Sequence, residues 1–286
     1  MHFLSANIAV LDYEISEIRL LLERHAGVLL ERPTEALHDS ILDYLVSHQM
    51  RSTSDLIGVL RARPSECDAL AGRLLSGDTG FFRCPAAFDA LQKKVLPEIK
   101  NRKIADHPRS LRIWSAGCST GEEAYSIAIS VCEALSGGGG GWNIHIVAGD
   151  IRAEALQVAE RGLYSDSAIR AVPRHLLALY FSRIGSQFLV KPRLRNLVTF
   201  SPMNLAQASF IGRFDCIFCM DVLSHFSMGQ RAALVQRLHL YLEPGGYLFL
   251  GQNEKLPATD VTFASETHLA CTYYRRKLAT AARSGK

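Results

Sequence analysis

The sequence predicts an α/β fold preceded by a helical domain, and three observations support this prediction. A short alternating run at 111–115 predicts a strand, and it leads through the glycine turn 117–121 into a run with helical spacing. A second strand-like run, 144–149, ends at Asp150, and helical spacing resumes after it. Residues 1–75 show only the spacing of amphipathic helices, which need one another to bury their apolar faces.

Apolar periodicity predicts the individual elements in chain order. Four helices are expected in the N-terminal part, around 15–22, 36–45, 56–60 and 70–75. The later elements expected are a helix at 88–99, a polar loop at 101–108, the strands 111–115 and 144–149, a buried strand at 214–219, a helix at 230–242, a turn at 244–246 into a strand at 247–251, and a last strand at 272–275.

The glycine turn points to a small-molecule site, because such a turn brings backbone N–H groups and a helix N-terminus close to a ligand. Its spacing, Gly117-x-x-x-Gly121, is not that of the dinucleotide fingerprint, and no Lys-Ser/Thr pair follows as in a P-loop. Glu122 and Glu123 in the first helical turn would repel a phosphate. A cofactor with cationic groups, such as S-adenosylmethionine (SAM), fits this acidic turn, although two ordinary N-terminal acids would also explain it.

Asp150 strengthens the cofactor interpretation. In doubly wound folds an acid at the end of the second strand accepts the ribose hydroxyls of an adenine cofactor. The order of glycine turn, helix, strand and terminal Asp therefore predicts a nucleotide-type cofactor site.

The run Trp114–Ala128 resembles the SAM-binding motif of CheR-type methyltransferases, which methylate glutamate side chains of bacterial chemoreceptors. Shorter matching pieces follow the same order along nearly the whole chain. They are Thr79–Arg83, Gly149–Ile151, Gly162–Tyr164, Val198–Phe200, Asn204–Leu205, Phe214–Cys219, Pro244–Gly246 and Tyr273–Arg275.

This resemblance implies a SAM-dependent methyltransferase (Rossmann-like) domain with a small antiparallel β subdomain, preceded by an N-terminal all-α helical domain. The corresponding boundaries are 1–76 for the helical domain, 77–110 for a linker and the helix that follows it, and 111–286 for the methyltransferase domain. The inserted subdomain is expected at about 163–204, where the regular alternation of strands and helices stops.

The resemblance also implies the site residues. Arg83 would hold the acceptor carboxylate, and His225 is a second candidate for a role in catalysis. The cofactor, with S-adenosyl-L-homocysteine as its product, would contact Thr79, Arg83, Gly117, Glu123, Asp150, Asn204, Leu205, Asp221 and Val222. No metal site is expected, and Cys216 and Cys219 are interpreted as core cysteines on opposite faces of a strand.

Several positions depart from the family pattern. Gly77 stands where an Asn is usual, and Met220, Asp221 and His225 replace Arg, Asn and Tyr. The segment 31–43, which corresponds to a receptor-contacting helix with basic side chains, is acid-rich here. The segment 184–188 is too short for the glycine loop that captures a receptor tail peptide in some members, so no such tethering is expected.

The composition narrows the possible classes of protein. The chain has 286 residues, 48% of them hydrophobic and 21% charged, and no apolar run approaches the roughly 20 residues of a membrane helix. Seven scattered cysteines favour a reducing cytoplasm. Residues 1–83 contain eight Arg, no Lys and twelve Asp or Glu, so this part is not an obvious nucleic-acid binder. A monomer without membrane insertion is expected.

The expected function is methyl transfer from SAM to glutamate carboxylates of methyl-accepting chemotaxis proteins. The expected partners are the cytoplasmic helices of chemoreceptors or another protein substrate. Two alternatives remain open at this point. One is a divergent SAM-binding protein with a different acceptor, or with a sensing role and no turnover. The other is an inert remnant of the fold.

Overall fold

The computed structural model describes residues 9–30, 33–75, 79–106, 109–135, 141–207, 212–257 and 260–278. Gly77, one of the departures from the family pattern, lies outside these ranges. In the described part of the chain, no helix combines the length and the apolar character needed to cross a lipid bilayer.

Four helices form the N-terminal part: α1 (Asp12–His25), α2 (Thr34–Ser47), α3 (Thr53–Ala62) and α4 (Ser65–Leu74). Each buries one apolar stripe in a shared core that includes Ile18, Leu37, Leu56 and Leu70, all fully buried. The helices depend on this mutual packing, because helices of 10 to 14 residues are marginal alone.

A continuous helical stretch leads into the second part of the chain. It comprises α5 (Pro85–Ala90), a π-helical segment (Leu91–Val95) and α6 (Leu96–Arg102). Its buried side chains, among them Leu91 and Ile99, join the largest core cluster against the central sheet.

A seven-stranded, mostly parallel sheet forms the centre of the molecule, in the order β6-β2-β1-β7-β8-β10-β9. Its strands are β1 (Arg109–Ala116), β2 (Trp142–Asp150), β6 (Val198–Pro202), β7 (Phe214–Cys219), β8 (Leu242–Leu250), β9 (Phe263–His268) and β10 (Cys271–Arg276). The strand order reverses between β1 and β7, which are parallel neighbours. Together with the N-terminal helices, this sheet confirms the predicted α/β class.

Helices cover both faces of the sheet. On one face, α7 (Glu122–Leu135) packs with α5 and α6, and α8 (Ala153–Arg161) lies beside α7 and contacts β2 and β6. On the other face, α11 (Met228–Tyr241) covers β7 and β8. Cys216 and Cys219 are fully buried and belong to the clusters on opposite faces. Burial raises the pKa of both thiols.

A small antiparallel sheet in the order β3-β5-β4 stands apart from the main sheet. It consists of β3 (Leu163–Ser165), β4 (Phe181–Ile184) and β5 (Gln187–Val190), with the short helices α9 (Arg174–Tyr180) and α10 (Pro192–Arg195) beside it. The expected insertion at 163–204 is therefore too long. Strand β6 lies within that range but pairs in parallel with β2 as an edge of the main sheet. The run 196–200 by itself predicts a strand, but it does not specify the partner with which the strand pairs.

The structure differs from the sequence prediction at two further places, both in the C-terminal part of the chain. The segment 244–246 is not a turn between helix and strand, because β8 runs through it with an irregular register opposite Phe214–Cys216. Strand β9 was missing from the sequence prediction, and it pairs with β10 as an antiparallel hairpin. Phe263 is the only buried residue of this strand, which explains the weak sequence signal.

Candidate active site

A cavity of about 760 Å³ opens at the carboxyl ends of β1, β2 and β7. This is the place where the strand order reverses, which is the usual ligand site of an open α/β sheet. The N-terminal helical part contributes Val28 and Leu75 to its wall. The cavity therefore lies between the sheet and the helical part.

The glycine turn forms the floor of the cavity beside β7. Gly117 has a φ of +87°, and a Cβ added there would lie 2.6 Å from Cγ2 of Val222. The backbone N–H groups of Gly117 and Cys118 both donate to the carbonyl of Gly149 at the end of β2. Only a glycine combines this backbone conformation with so close an approach.

Asp150 is the last residue of β2, and its carboxylate is 6% exposed. It accepts a 2.7 Å hydrogen bond from the backbone N–H of Ser119 and two from Arg152, through the backbone N–H and Nε. These donors hold the carboxylate at the edge of the cavity. A carboxylate offers about four acceptor positions, so at least one remains for a ligand hydroxyl.

Glu123 reaches the cavity from the first turn of α7. Ser115 Oγ donates a 2.6 Å hydrogen bond to its Oε1. The pKa of Glu123 is raised to about 7: burial is the main cause and the charges of Asp221 and Asp150 add to it, while the hydrogen bond from Ser115 and the charge of Arg83 oppose it. The site thus contains a carboxyl group that changes charge near neutral pH.

Arg83 is a cation that lines the cavity. The segment before it is anchored by Phe81, which is fully buried between the rings of Tyr164 and Phe181, and by the backbone N–H of Phe82, which donates to Ser126 Oγ of α7. The Arg83 side chain is 51% exposed, and its Nη1 lies 3.6 Å from Oδ2 of Asp221. Its guanidinium group therefore faces the cavity, with a carboxylate beside it.

The loops after β7 and β8 are joined next to Asp221. Asp221 has a φ of +58°, which is uncommon for a residue other than glycine. The Glu254 carboxylate accepts hydrogen bonds from the backbone N–H groups of Asp221, Ser224 and Gly251, at 2.9, 3.1 and 3.0 Å. Glu254 thus connects two loops that border the cavity.

Asn204 lies where the cavity meets the helical part. Its amide nitrogen donates to the carbonyl of Ala26 at 3.0 Å and to Asp68 Oδ1 at 2.7 Å, and its Oδ1 accepts from the N–H of Ala206. Its neighbour Leu205 is buried in the cavity wall. Asn204 therefore joins the helical part to the loop after β6.

His225 ends a short 3₁₀ turn, Leu223–His225, and its side chain lines the cavity. Its carbonyl accepts a 2.7 Å hydrogen bond from the N–H of Leu29, in the connection between α1 and α2. Thr79 lines the cavity from the segment that follows the helical part.

All of the site residues expected from the sequence line this one cavity: Thr79, Arg83, Gly117, Glu123, Asp150, Asn204, Leu205, Asp221, Val222 and His225. Sequence reasoning missed four residues that form hydrogen bonds to the expected site residues: Arg152, Glu254, Ser115 and Asp68. One signal was available for Glu254, because it follows β8, a parallel neighbour of β7, and the carboxyl ends of such strands meet at one edge.

The cavity residues fit SAM. The volume lies within the roughly 300–1,000 Å³ of ligand pockets. Asp150 is a buried, oriented hydrogen-bond acceptor, which suits a ribose hydroxyl, and Glu123 and Asp221 are acidic groups, which suit a cofactor with cationic groups. The Gly117 turn lets the backbone approach closely, since a side chain there would meet Val222.

Comparison with known proteins agrees with this site. The family described as "CheR methyltransferase, SAM binding domain" matches residues 77–270. The chain is 34% identical over 255 residues to chemotaxis protein methyltransferase Cher2 of Pseudomonas putida, covering 86% of this chain and 90% of the relative. It is 33% identical to chemotaxis protein methyltransferase 1 of Pseudomonas aeruginosa, with coverage of 86% and 90%, and 29% identical to the chemotaxis protein methyltransferase of Borreliella burgdorferi, with coverage of 87% and 90%.

The match covers the cavity-lining residues from Thr79 to Ala270, including the glycine turn and Asp150, whereas Val28 and Leu75 precede it. The resemblance read from the sequence is thereby confirmed, and SAM is the cofactor. The chain belongs to the CheR family of SAM-dependent chemotaxis methyltransferases.

Proposed function

We propose that this protein transfers the methyl group of SAM to glutamate side-chain carboxylates of chemoreceptors and forms glutamate methyl esters. The observation that carries the proposal is the position of Arg83. Its guanidinium group is half-exposed in the cavity that also contains the glycine turn and Asp150. A guanidinium fork is well suited to a carboxylate.

The chemistry requires little from the protein beyond binding and orientation. SAM supplies a methyl group on a sulfonium centre. A glutamate carboxylate, with a reference pKa near 4.3, is already ionised at neutral pH and needs no general base. We assign Arg83 to orienting this carboxylate and the surrounding apolar wall, including Phe88 and Met220, to excluding water.

On the cofactor side, we assign Asp150 to the ribose hydroxyls. Glu123 and Asp221 would face the cationic part of the cofactor, and Gly117 would allow close backbone approach. Thr79, Asn204, Leu205 and Val222 would complete the wall. His225 is assigned to the acceptor side, where its imidazole offers a hydrogen-bonding group.

For the acceptor, we propose cytoplasmic helices of a chemoreceptor that dock without capture of a receptor tail. Strands β4 and β5 are joined by the short turn 185–186, which supports this part of the proposal. Helix α2 presents Glu35, Asp39 and Asp43 at its exposed side, so the docking surface of the receptor is expected to be basic where it meets this helix.

One observation favours a second candidate. Asp221 already places a carboxylate 3.6 Å from Arg83, in the position where an acceptor carboxylate would bind. This arrangement would suit a SAM-binding protein with a different acceptor, or one that senses SAM without turnover.

A transfer assay separates the two functions. The purified protein is incubated with methyl-labelled SAM and the cytoplasmic fragment of a chemoreceptor from the same organism, and the product is treated with mild base. Label that is released as methanol identifies a carboxyl methyl ester. The matched control is the same fragment with its acceptor glutamates replaced by glutamine, which should accept no label.

Arg83→Lys and Arg83→Ala complete the design. Because Lys is a point charge and lacks the planar fork, we expect R83K to raise KM for the receptor fragment and R83A to abolish transfer. SAM binding by wild-type protein together with base-stable label, or with no label on the whole cytoplasmic protein fraction, would contradict the proposal and favour the second candidate.

A further inference from the structure

We propose that Glu254 is a positioning residue: it fixes the backbone of the loop after β7 so that Asp221 faces the cofactor cavity. The proposed function assigns no role to Glu254. The inference rests on the proposed contact of Asp221 with the cofactor.

Three hydrogen bonds carry the argument. Glu254 Oε2 accepts from the backbone N–H groups of Asp221 at 2.9 Å and Gly251 at 3.0 Å, and Oε1 accepts from that of Ser224 at 3.1 Å. Two of the donors belong to the loop after β7 and the third to the loop after β8. One carboxylate therefore bonds the two loops together.

The loop needs such a restraint because of the conformation of Asp221. Its φ of +58° is disfavoured for a residue with a side chain. Strained conformations persist where the surrounding structure determines them, and they cluster at functional sites. The hydrogen bond from the Asp221 N–H to Glu254 holds the backbone in this conformation.

Because Gly251 has no side chain, Asp221 can occupy the space beside it. A Cβ added at Gly251 would lie 2.2 Å from Oδ1 and 2.7 Å from the backbone nitrogen of Asp221. The Asp221 side chain is thus packed against the loop after β8. Its Oδ2 also lies 3.6 Å from Nη1 of Arg83, which lines the same cavity. A small shift of this loop would move Asp221 relative to the cofactor and to Arg83.

The restraint requires a carboxylate. Both oxygens of an ionised carboxyl group accept hydrogen bonds, whereas a glutamine offers one oxygen and an NH₂ group that faces an N–H donor. Burial raises the pKa of Glu254, and the hydrogen bonds from Gly251 and Ser224 oppose that rise. Glu254→Gln therefore leaves at least one of the three N–H groups without its partner.

The test combines titration calorimetry with a double-mutant cycle. SAM affinity is measured for wild type, E254Q, D221A and the E254Q/D221A double variant. Because loss of a Glu254 bond would move Asp221 away from the cofactor, E254Q should bind SAM about tenfold more weakly, as expected when one hydrogen bond to a charged group is lost from the complex. If Glu254 acts through Asp221, E254Q should change the Kd of D221A by less than about twofold.

Asp215→Asn is the matched control. Asp215 is also a buried carboxylate with a backbone partner, since it accepts from the N–H of Arg112 at 3.0 Å and from Lys103 Nζ at 2.7 Å, but it lies at the opposite end of β7. D215N should lower the melting temperature and leave the SAM Kd unchanged. Gly251→Ala is a second variant in case E254Q does not fold, because its Cβ displaces Asp221 while Glu254 remains; it should weaken SAM binding to a similar extent.

Two outcomes would overturn the inference. One is a Kd of E254Q, or of G251A if E254Q is unfolded, within about twofold of wild type. The other is a set of E254Q and D221A effects that multiply in the double variant. A D221A variant that binds SAM like wild type would instead refute the proposed role of Asp221 itself.

Discussion

The side-chain amide of Asn204 donates a 2.7 Å hydrogen bond to Oδ1 of Asp68, and the same nitrogen donates to the carbonyl of Ala26 at 3.0 Å. Asp68 belongs to α4 and Ala26 follows α1, so one cavity-lining residue connects two parts of the helical domain to the loop after β6. Binding at the cavity and docking of the helical domain therefore share this residue.

Asn204→Ala should lower the free energy of unfolding by about 1–3 kcal/mol, because it removes the donor to Asp68 Oδ1 and to the Ala26 carbonyl. It should also raise the pKa of Asp68, which burial already raises and the Asn204 bond lowers. Chemical denaturation monitored by circular dichroism measures the first effect. The control is Gln207→Ala, which removes an exposed 3.3 Å bond to the same carboxylate and should cost less than about 0.5 kcal/mol. Equal effects of the two variants would contradict the connection described here.

Asp150→Ala should weaken SAM binding by about ten- to a hundredfold, because hydrogen bonds to a charged group contribute about 1.5–3 kcal/mol each. Calorimetric titration with SAM and with S-adenosyl-L-homocysteine measures the change. Both ligands should be affected alike, since they share the ribose. Wild-type affinity in this variant would refute the ribose assignment.

The raised pKa of Glu123 predicts that the stability of the folded protein depends on pH. A glutamate in the unfolded chain titrates near 4.3, and burial raises the pKa of Glu123 to about 7. Between these values the folded protein keeps a proton that the unfolded chain has lost. Its contribution to stability is therefore fully present below the unfolded pKa and is lost as the pH rises through 7. Glu123→Gln should melt at a higher temperature than wild type above pH 7, and this advantage should shrink in acid.

The same group should make SAM binding tighten with pH. Cationic groups of SAM favour the ionised carboxylate, so the Kd of wild type should fall between about pH 6 and pH 8. The other titratable and charged groups that act on Glu123 are Asp221, Asp150 and Arg83. A pH profile that is unchanged in E123Q would assign the dependence to one of these groups instead.

Gly117→Ala should abolish measurable SAM binding, because it places a Cβ 2.6 Å from Val222 Cγ2 at a backbone φ of +87°. The control is Gly58→Ala in α3, where a Cβ meets no atom within 4 Å. That variant should keep wild-type affinity and gain about 0.5–1 kcal/mol of stability, since alanine is the better helix former. Differential scanning calorimetry and SAM titration on both variants test the pair. Retained binding by G117A would show that the turn tolerates a side chain.

The sequence by itself determined the class of fold, the family and ten of the residues that line the cavity. This was possible because glycine spacing, a terminal Asp and apolar periodicity are local patterns, which can be recognised within a short segment of the sequence. The turn at Gly117 and the acid at Asp150 could be recognised without knowing what packs against them.

Only the tertiary structure decided how those residues are held. Glu254 bonds to Asp221 from 33 positions away, and Asn204 bonds to Asp68 from 136 positions away. The pairing of β6 with β2 rather than with the small sheet is likewise a choice of partner. Partners distant in sequence leave no pattern in neighbouring residues, because packing of the whole chain brings them together.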